Sequence, residues 1–131
     1  MIGLDTNVIV RYITLDDPEQ APAAVKLIES LSADEPGFIS LVVVAELSWV
    51  LEGSYGLDKN SIIRAFEALL HSKEFVVEQA DVVAQSLDRL RRGNAGLADC
   101  LIERSGHAVG CEHTFTFDRK AAASAGMRLL E

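Results

Sequence analysis

Cysteine is scarce in this chain of 131 residues. Cys100 and Cys111 make no disulfide framework, and neither belongs to a C-x-x-C pair. Both are expected to be small buried hydrophobes in a reducing compartment. His71, His107 and His113 show no zinc-site spacing with them. No run of about 18 uncharged apolar residues exists, which excludes a membrane span. The longest apolar stretch, Leu41 to Leu51, is short and carries Glu46. Met1-Ile2-Gly3-Leu4-Asp5 has no basic region and no cleavage pattern, so it does not read as a secretory signal, and a cytoplasmic location is expected. Positive charge is also in deficit: twelve Lys and Arg stand against twenty Asp and Glu. An acidic chain is a poor general nucleic-acid binder, because phosphate contacts need Lys and Arg. The deficit is uneven. Residues 1–88 hold fifteen acids and five bases, whereas residues 89–131 hold five acids and seven bases. Arg89, Arg91, Arg92, Arg119 and Lys120 are therefore the candidate phosphate contacts, against an ordinary solvated face as the plain alternative.

Hydrophobic residues make up 49% of the chain, too many for disorder. A chain of this length suits one domain spanning 1–131, burying about two-thirds of its unfolded surface. Strand and helix patterns alternate throughout, which predicts an α/β fold around a mostly parallel sheet. Strands are expected at Ile2–Leu4, Phe38–Ile39, Phe75–Val77, Thr114–Phe117 and Met127–Leu130. Helices are expected after Asp5, after Asp17-Pro18, from Ser40 through Leu51, after Asp58, after Asp81, over 97–104 and over 120–124. Ligands of open parallel sheets sit beyond the carboxyl ends of the strands. Asp5 and Asp118 each follow such an end.

Four acids lie in apolar sequence. Asp5 separates Ile2-Gly3-Leu4 from Val8-Ile9-Val10. Glu46 is the one charge in 41–51, and Asp99 the one charge in 95–102. Asp5, Glu46 and Asp99 have no Lys or Arg within four residues. A helix apolar on nearly all sides is buried, so Glu46 is expected to be at least partly buried. An unpaired buried carboxylate is costly, so it is paired, protonated or bound to a metal. Carboxylates sharing a site raise one another's pKa, and a divalent ion removes that conflict. Oxygen-only donors favour Mg²⁺, with Mn²⁺ also suitable. Each acid alone has a structural alternative: Asp5 and Asp118 could simply cap the helices that follow them.

Ile2-Gly3-Leu4-Asp5-Thr6-Asn7, Glu46 inside an apolar helix, Ala98-Asp99 opening a later helix, and Thr114-Phe115-Thr116-Phe117-Asp118 together resemble the PIN-domain ribonucleases, in particular the toxin half of VapBC toxin–antitoxin pairs. The resemblance spans the chain, including 16–20 and Arg119-Lys120-Ala121. Single motifs such as D-x-N and T-x-D are common; their order and contexts carry the likeness. It implies a central parallel sheet of about five strands flanked by helices, and a Mg²⁺-dependent endoribonuclease leaving 5′-phosphate and 3′-hydroxyl ends. Asp5, Glu46, Asp99 and Asp118 would form the catalytic and metal site, with Asp5 and Asp99 as direct ligands and Thr6, Asn7 and Thr116 beside it. It also implies a homodimer, with RNA as substrate and a small antitoxin as partner. The antitoxin's terminal segment would lie in an apolar groove, for which Tyr12, Ile13, Leu27, Ile28, Leu47 and Leu51 are candidates. Two other readings stay open. One is a PIN-like module that binds partners without catalysis. The other is an aspartyl-phosphate phosphohydrolase, which would want an acid where Asn7 stands.

Overall fold

In the computed structural model, which describes residues 1–131, the chain divides after Glu78 into two units, each with its own parallel strands. The first unit runs β1 (Ile2–Gly3), α1 (Thr6–Thr14), α2 (Gln20–Glu29), β2 (Gly37–Ile39), α3 (Leu41–Trp49), α4 (Lys59–His71) and β3 (Phe75–Val77). Its sheet has the order β1-β2-β3. Ile2 faces Gly37, and Gly37, Phe38 and Ile39 face Phe75, Val76 and Val77. Helices connect the strands because a parallel pair needs a long crossover. Side chains from each layer close the core: Ile9, Ile39, Val44, Leu47, Leu51 and Phe66 are almost wholly inaccessible.

Local chemistry sets the helix starts. Ser40 accepts from Val43 N at 3.1 Å and Asp58 from Ser61 N at 2.8 Å, as their N-cap positions predict. Asp17 accepts from the amides of Glu19 and Gln20, and α2 begins at Gln20 with Pro22 in its first turn. Proline is tolerated there because no helical partner awaits its nitrogen. Helix α3 passes into a π-helical turn, Val50–Ser54. The turn closes where Leu57 N donates to Leu51 O, and Gly56 takes the left-handed conformation that follows.

The second unit runs α5 (Ala80–Arg92), α6 (Leu97–Ala108), β4 (Phe115–Thr116), α7 (Arg119–Ser124) and β5 (Arg128–Leu129). Strands β4 and β5 pair in parallel across α7. Ala95, Cys100, Ala121, Ala125 and Met127 form a buried cluster of mostly small side chains. Burial pushes the Cys100 thiol pKa up. Cys111 is exposed, against expectation. The unit's main polar tie is Glu103. Its carboxylate accepts from Arg104 Nε at 2.5 Å and from Arg89 Nη1 at 2.9 Å, and Arg89 Nη1 also donates to Ala125 O at 2.7 Å. Gly126 follows at φ +80, and a Cβ there would collide with Arg89 Nη1.

The α/β class and the five parallel strands match the sequence. They form ladders of three and two rather than one sheet of five, and each strand of the shorter ladder pairs through only two residues. Asp81 is not a cap: α5 starts at Ala80 behind Gln79 in a left-handed conformation, and Asp81 sits in the first turn, where the helix dipole favours an anion. Helix α6 runs past Arg104 to Ala108, and Gly106 packs closely on Thr114, where a Cβ would lie 3.0 Å from the hydroxyl. No helix is long and apolar enough to cross a membrane.

Hydrogen bonding from Arg104, with the charges of Arg104 and Arg89, holds the Glu103 carboxyl below the usual carboxylate range. A depressed pKa contributes stability that is present above the unfolded value of about 4.3 and lost as pH falls through the folded value. Glu103→Gln should therefore cost about 1–3 kcal/mol at neutral pH. In urea titrations from pH 7 to pH 3, the gap between variant and wild type should close in the acid range. A gap independent of pH would show that the carboxylate charge is not what matters.

Candidate active site

Asp5 follows β1 and caps α1. Its backbone is extended, and Oδ1 accepts from Thr6 N at 2.7 Å. Thr6 is buried, and its hydroxyl donates to Glu46 Oε1 at 2.7 Å. That bond spans forty residues and joins the first turn of α1 to the middle of α3. Asp5, Thr6, Asn7 and Glu46 line one cavity of about 440 Å³, together with Arg11, Ser54 and Tyr55.

Glu46 is exposed, contrary to expectation. Helix α3 buries Val43, Val44, Leu47 and Ser48 on one face. The spacing of Val42, Glu46 and Trp49 puts them on the other face, with Val42 69% and Trp49 60% exposed. Uniform hydrophobicity along 41–51 concealed which face turns outward. Asp5 and Asp118 are exposed as well, and Asp99 is intermediate, so burial does not account for these acids. None of the four takes part in the chain's ion pairs.

In the second unit, Asp99 lies in the first turn of α6, whose N-cap Gly96 offers no side chain. The helix dipole favours a carboxylate there. Asp118 caps α7: Oδ1 accepts from Lys120 N at 2.8 Å and Ala121 N at 3.2 Å. Thr116 Oγ1 accepts from Asp118 N at 3.0 Å and so tightens the approach to that cap. The capping roles open to Asp5 and Asp118 are thus both real. Each is made through Oδ1. Asp5, Glu46, Thr6 and Asn7 belong to one unit, and Asp99, Asp118 and Thr116 to the other. Within neither unit do three or more His, Cys, Asp or Glu side chains gather as a metal cage.

The basic candidates differ in availability. Arg89 is committed to Glu103 and Ala125, which makes it a structural tie rather than an open phosphate contact. Arg91 and Arg92 pair with Asp88 on the same helix, at 3.9 and 2.9 Å. Arg119 and Lys120 are exposed at the start of α7. Among the groove candidates, Ile28, Leu47 and Leu51 are buried core. Tyr12 and Ile13 are half-buried. Leu27 is exposed and lines a second cavity of about 300 Å³ between α1 and α2.

Sequence reasoning missed a polar network beside the Asp5 cavity. Arg11 Nη1 donates to Tyr55 Oη at 3.1 Å and approaches Asp16 Oδ1 at 3.5 Å, while Arg11 Nε donates to Gln20 Oε1 at 2.8 Å. Tyr55 Oη donates to Asp16 Oδ2 at 2.9 Å, and Thr14 Oγ1 to Asp16 Oδ1 at 2.7 Å. The Thr14 and Tyr55 hydroxyls hold the Asp16 carboxyl below its ordinary range. One signal was available: Arg11 stands one helical turn after Asn7, on the same face of α1.

A PIN domain model matches residues 2–126, and the chain belongs to that family. Among characterised relatives, it is 24% identical over 118 residues to a VapC ribonuclease of Aquifex aeolicus (strain VF5), covering 89% of this chain and 87% of that protein. A crystal structure of Mycobacterium tuberculosis VapC20, described as a sarcin-ricin loop cleaving toxin, aligns with 98% of this chain and 97% of its own at 22% identity, with a TM-score of 0.48.

Removing the cap should separate charge from hydrogen bonding at Asp118. Asp118→Ala should destabilise by about 0.5–2 kcal/mol, whereas Asp118→Asn, itself a good cap, should stay within a few tenths of wild type. Thermal melts of the three proteins in EDTA test this. Equal losses for both variants would mean that the negative charge, not the cap, stabilises α7.

Proposed function

We propose that this chain is a metal-dependent endoribonuclease and the toxin of a toxin–antitoxin pair. Membership of the PIN domain family over residues 2–126 carries the reading, and similarity to a VapC ribonuclease over most of both chains supports it. Asp5, Glu46, Asp99 and Asp118 are the proposed catalytic acids of a single domain. Their donor set, carboxylate oxygen without thiolate or imidazole, suits Mg²⁺ or Mn²⁺. Asp5 and Asp99 would be direct ligands, and Glu46 and Asp118 would act directly or through water. A divalent ion held there would activate water and stabilise charge on the scissile phosphate.

The protein's own contribution is orientation. Thr6 fixes one oxygen of Glu46. The amide of Thr6 fixes one oxygen of Asp5. Thr116 and the first turn of α7 fix Asp118. Such supports hold a ligand's geometry and tune its basicity. Asn7 lines the same cavity as Asp5 and Glu46, where its amide can bond to the substrate. Arg119 and Lys120 remain candidate RNA contacts, with Arg91 and Arg92 further back along α5. The proposed assembly is a homodimer bound by a small cytoplasmic antitoxin that presents a basic side chain to the acidic cavity.

Asp99→Asn tests the reading. The variant should lose RNA cleavage in Mg²⁺ by more than about a hundredfold. In EDTA it should melt at or above the wild-type temperature, since one negative charge leaves an acidic site. Mg²⁺ at 100 times its Kd should stabilise the wild type by about 2.7 kcal/mol through linkage. Full cleavage by Asp99→Asn, together with a markedly lower melt, would sink the catalytic assignment.

A further inference from the structure

We infer that Arg11 is an RNA phosphate contact of the Asp5–Glu46 cavity, clamped in position by Tyr55 and Asp16. The inference rests on the nuclease reading and extends it to a side chain outside the proposed acids. The cavity wall contains two carboxylates, Asp5 and Glu46, and one cation, Arg11. An arginine beside two unpaired acids would ordinarily bond to them. Arg11 bonds instead to Asp16, Gln20 and Tyr55, while the two acids are held by Thr6. Nε and Nη1 make the arginine's bonds. Nη2 makes none of them, which leaves the two N–H groups of that nitrogen for a ligand.

Holding the Arg11 side chain in one orientation costs rotamer entropy, which its bonds to Asp16, Gln20 and Tyr55 offset. Its partners come from three segments: Asp16 from the connection after α1, Gln20 from the start of α2 and Tyr55 from just after the π-helical turn. The Arg11 side chain keeps 29% of its surface exposed, so it is ordered without being sealed in. Pre-organisation of this kind lowers the ordering cost that a flexible arginine would meet on binding. Asp5 and Arg11 lie six residues apart along α1, about 9 Å of helix rise. Acids at one end and a fixed cation at the other match a polyanion: the scissile phosphate at the acids, and a neighbouring phosphate of the same strand at Arg11. Guanidinium–phosphate bonds are charge-assisted and directional.

The experiment compares wild type with Arg11→Gln, Arg11→Lys and Tyr55→Phe. Anisotropy of a fluorescein-labelled, mixed-sequence single-stranded RNA would be read in Ca²⁺ over graded KCl, and cleavage kinetics in Mg²⁺. Arg11→Gln should weaken binding about tenfold or more. It should also reduce the slope of log affinity against log salt by about one phosphate contact, and lose kcat/KM mainly through KM. Arg11→Lys should keep the slope but lose part of the affinity, since a point charge replaces a fork. Tyr55→Phe should lie between. If the wild type cleaves and Arg11→Gln retains its affinity and salt slope, the contact is wrong and the nuclease reading stands. A lower melt without a change of slope overturns the contact in the same way, since Arg11 is then only a tether. If Arg11→Gln does not fold, unchanged binding by the other two variants overturns the proposal. Wild type that binds but does not cleave, with the slope still lost in Arg11→Gln, keeps the contact and removes the nuclease assignment. Wild type that does neither overturns both.

Discussion

Main-chain amides, rather than cations, hold the carboxylates at the ends of β1 and β4. Asp5 takes the first amide of α1, and Asp118 takes two amides of α7. This constraint governs the candidate site. A carboxylate satisfied by a helix start is oriented without being neutralised, because peptide N–H groups carry only partial charge. It keeps its negative charge and its capacity for a further ligand. A salt bridge would have consumed both. The strand–cap–helix junction thus serves the fold and the chemistry with the same atoms.

Thr6 extends the arrangement from local to tertiary structure. Its hydroxyl reaches Glu46 across the chain and ties α1 to α3. The buried threonine thereby converts an exposed glutamate on an apolar helix into an ordered wall of the Asp5 cavity. Glu46 needs no burial to be precise in position. The same economy applies to arginine in this acidic chain. Arg89 and Arg104 converge on Glu103 inside the second unit, and Arg11 is braced by a tyrosine and an aspartate in the first. Arg89 and Arg104 are structural ties, and counting them as basic surface overstates the charge free for phosphate; Arg11 is held in place with Nη2 outside its bonds.

Much of the fold was legible because it depends on local rules. The caps Asp5, Ser40, Asp58 and Asp118 announce helices through their short oxygen-bearing side chains, and all four work as expected. The β-branched and aromatic runs at Phe75–Val77 and Phe38–Ile39 announce strands. The failures have physical causes too. Helix α5 begins behind a left-handed Gln79, which no side-chain preference signals. Helix α6 outruns its expected end and carries Gly106 against Thr114, a contact between residues that meet only in the folded chain. Cys111 is exposed although cysteine is usually buried, since composition says nothing about which surface a residue reaches.

The family resemblance was carried by residue order, and the PIN domain match over 2–126 agrees with it. Sequence alone determined the α/β class, the parallel strands, the acids at strand ends and the scarcity of positive charge, because each follows from periodicity, capping chemistry or composition. Tertiary structure alone decided the rest. Only packing shows that α3 turns Val42, Glu46 and Trp49 outward, since an all-apolar helix carries no period from which to choose a face. Only packing joins Thr6 to Glu46 and Arg11 to Tyr55, at separations of forty and forty-four residues. Only packing withdraws Arg89 from the basic set by placing Glu103 and the Ala125 carbonyl around it. Pairings between distant residues leave no mark in a single chain's local pattern; they exist because the closed core brings together polar groups that then satisfy one another.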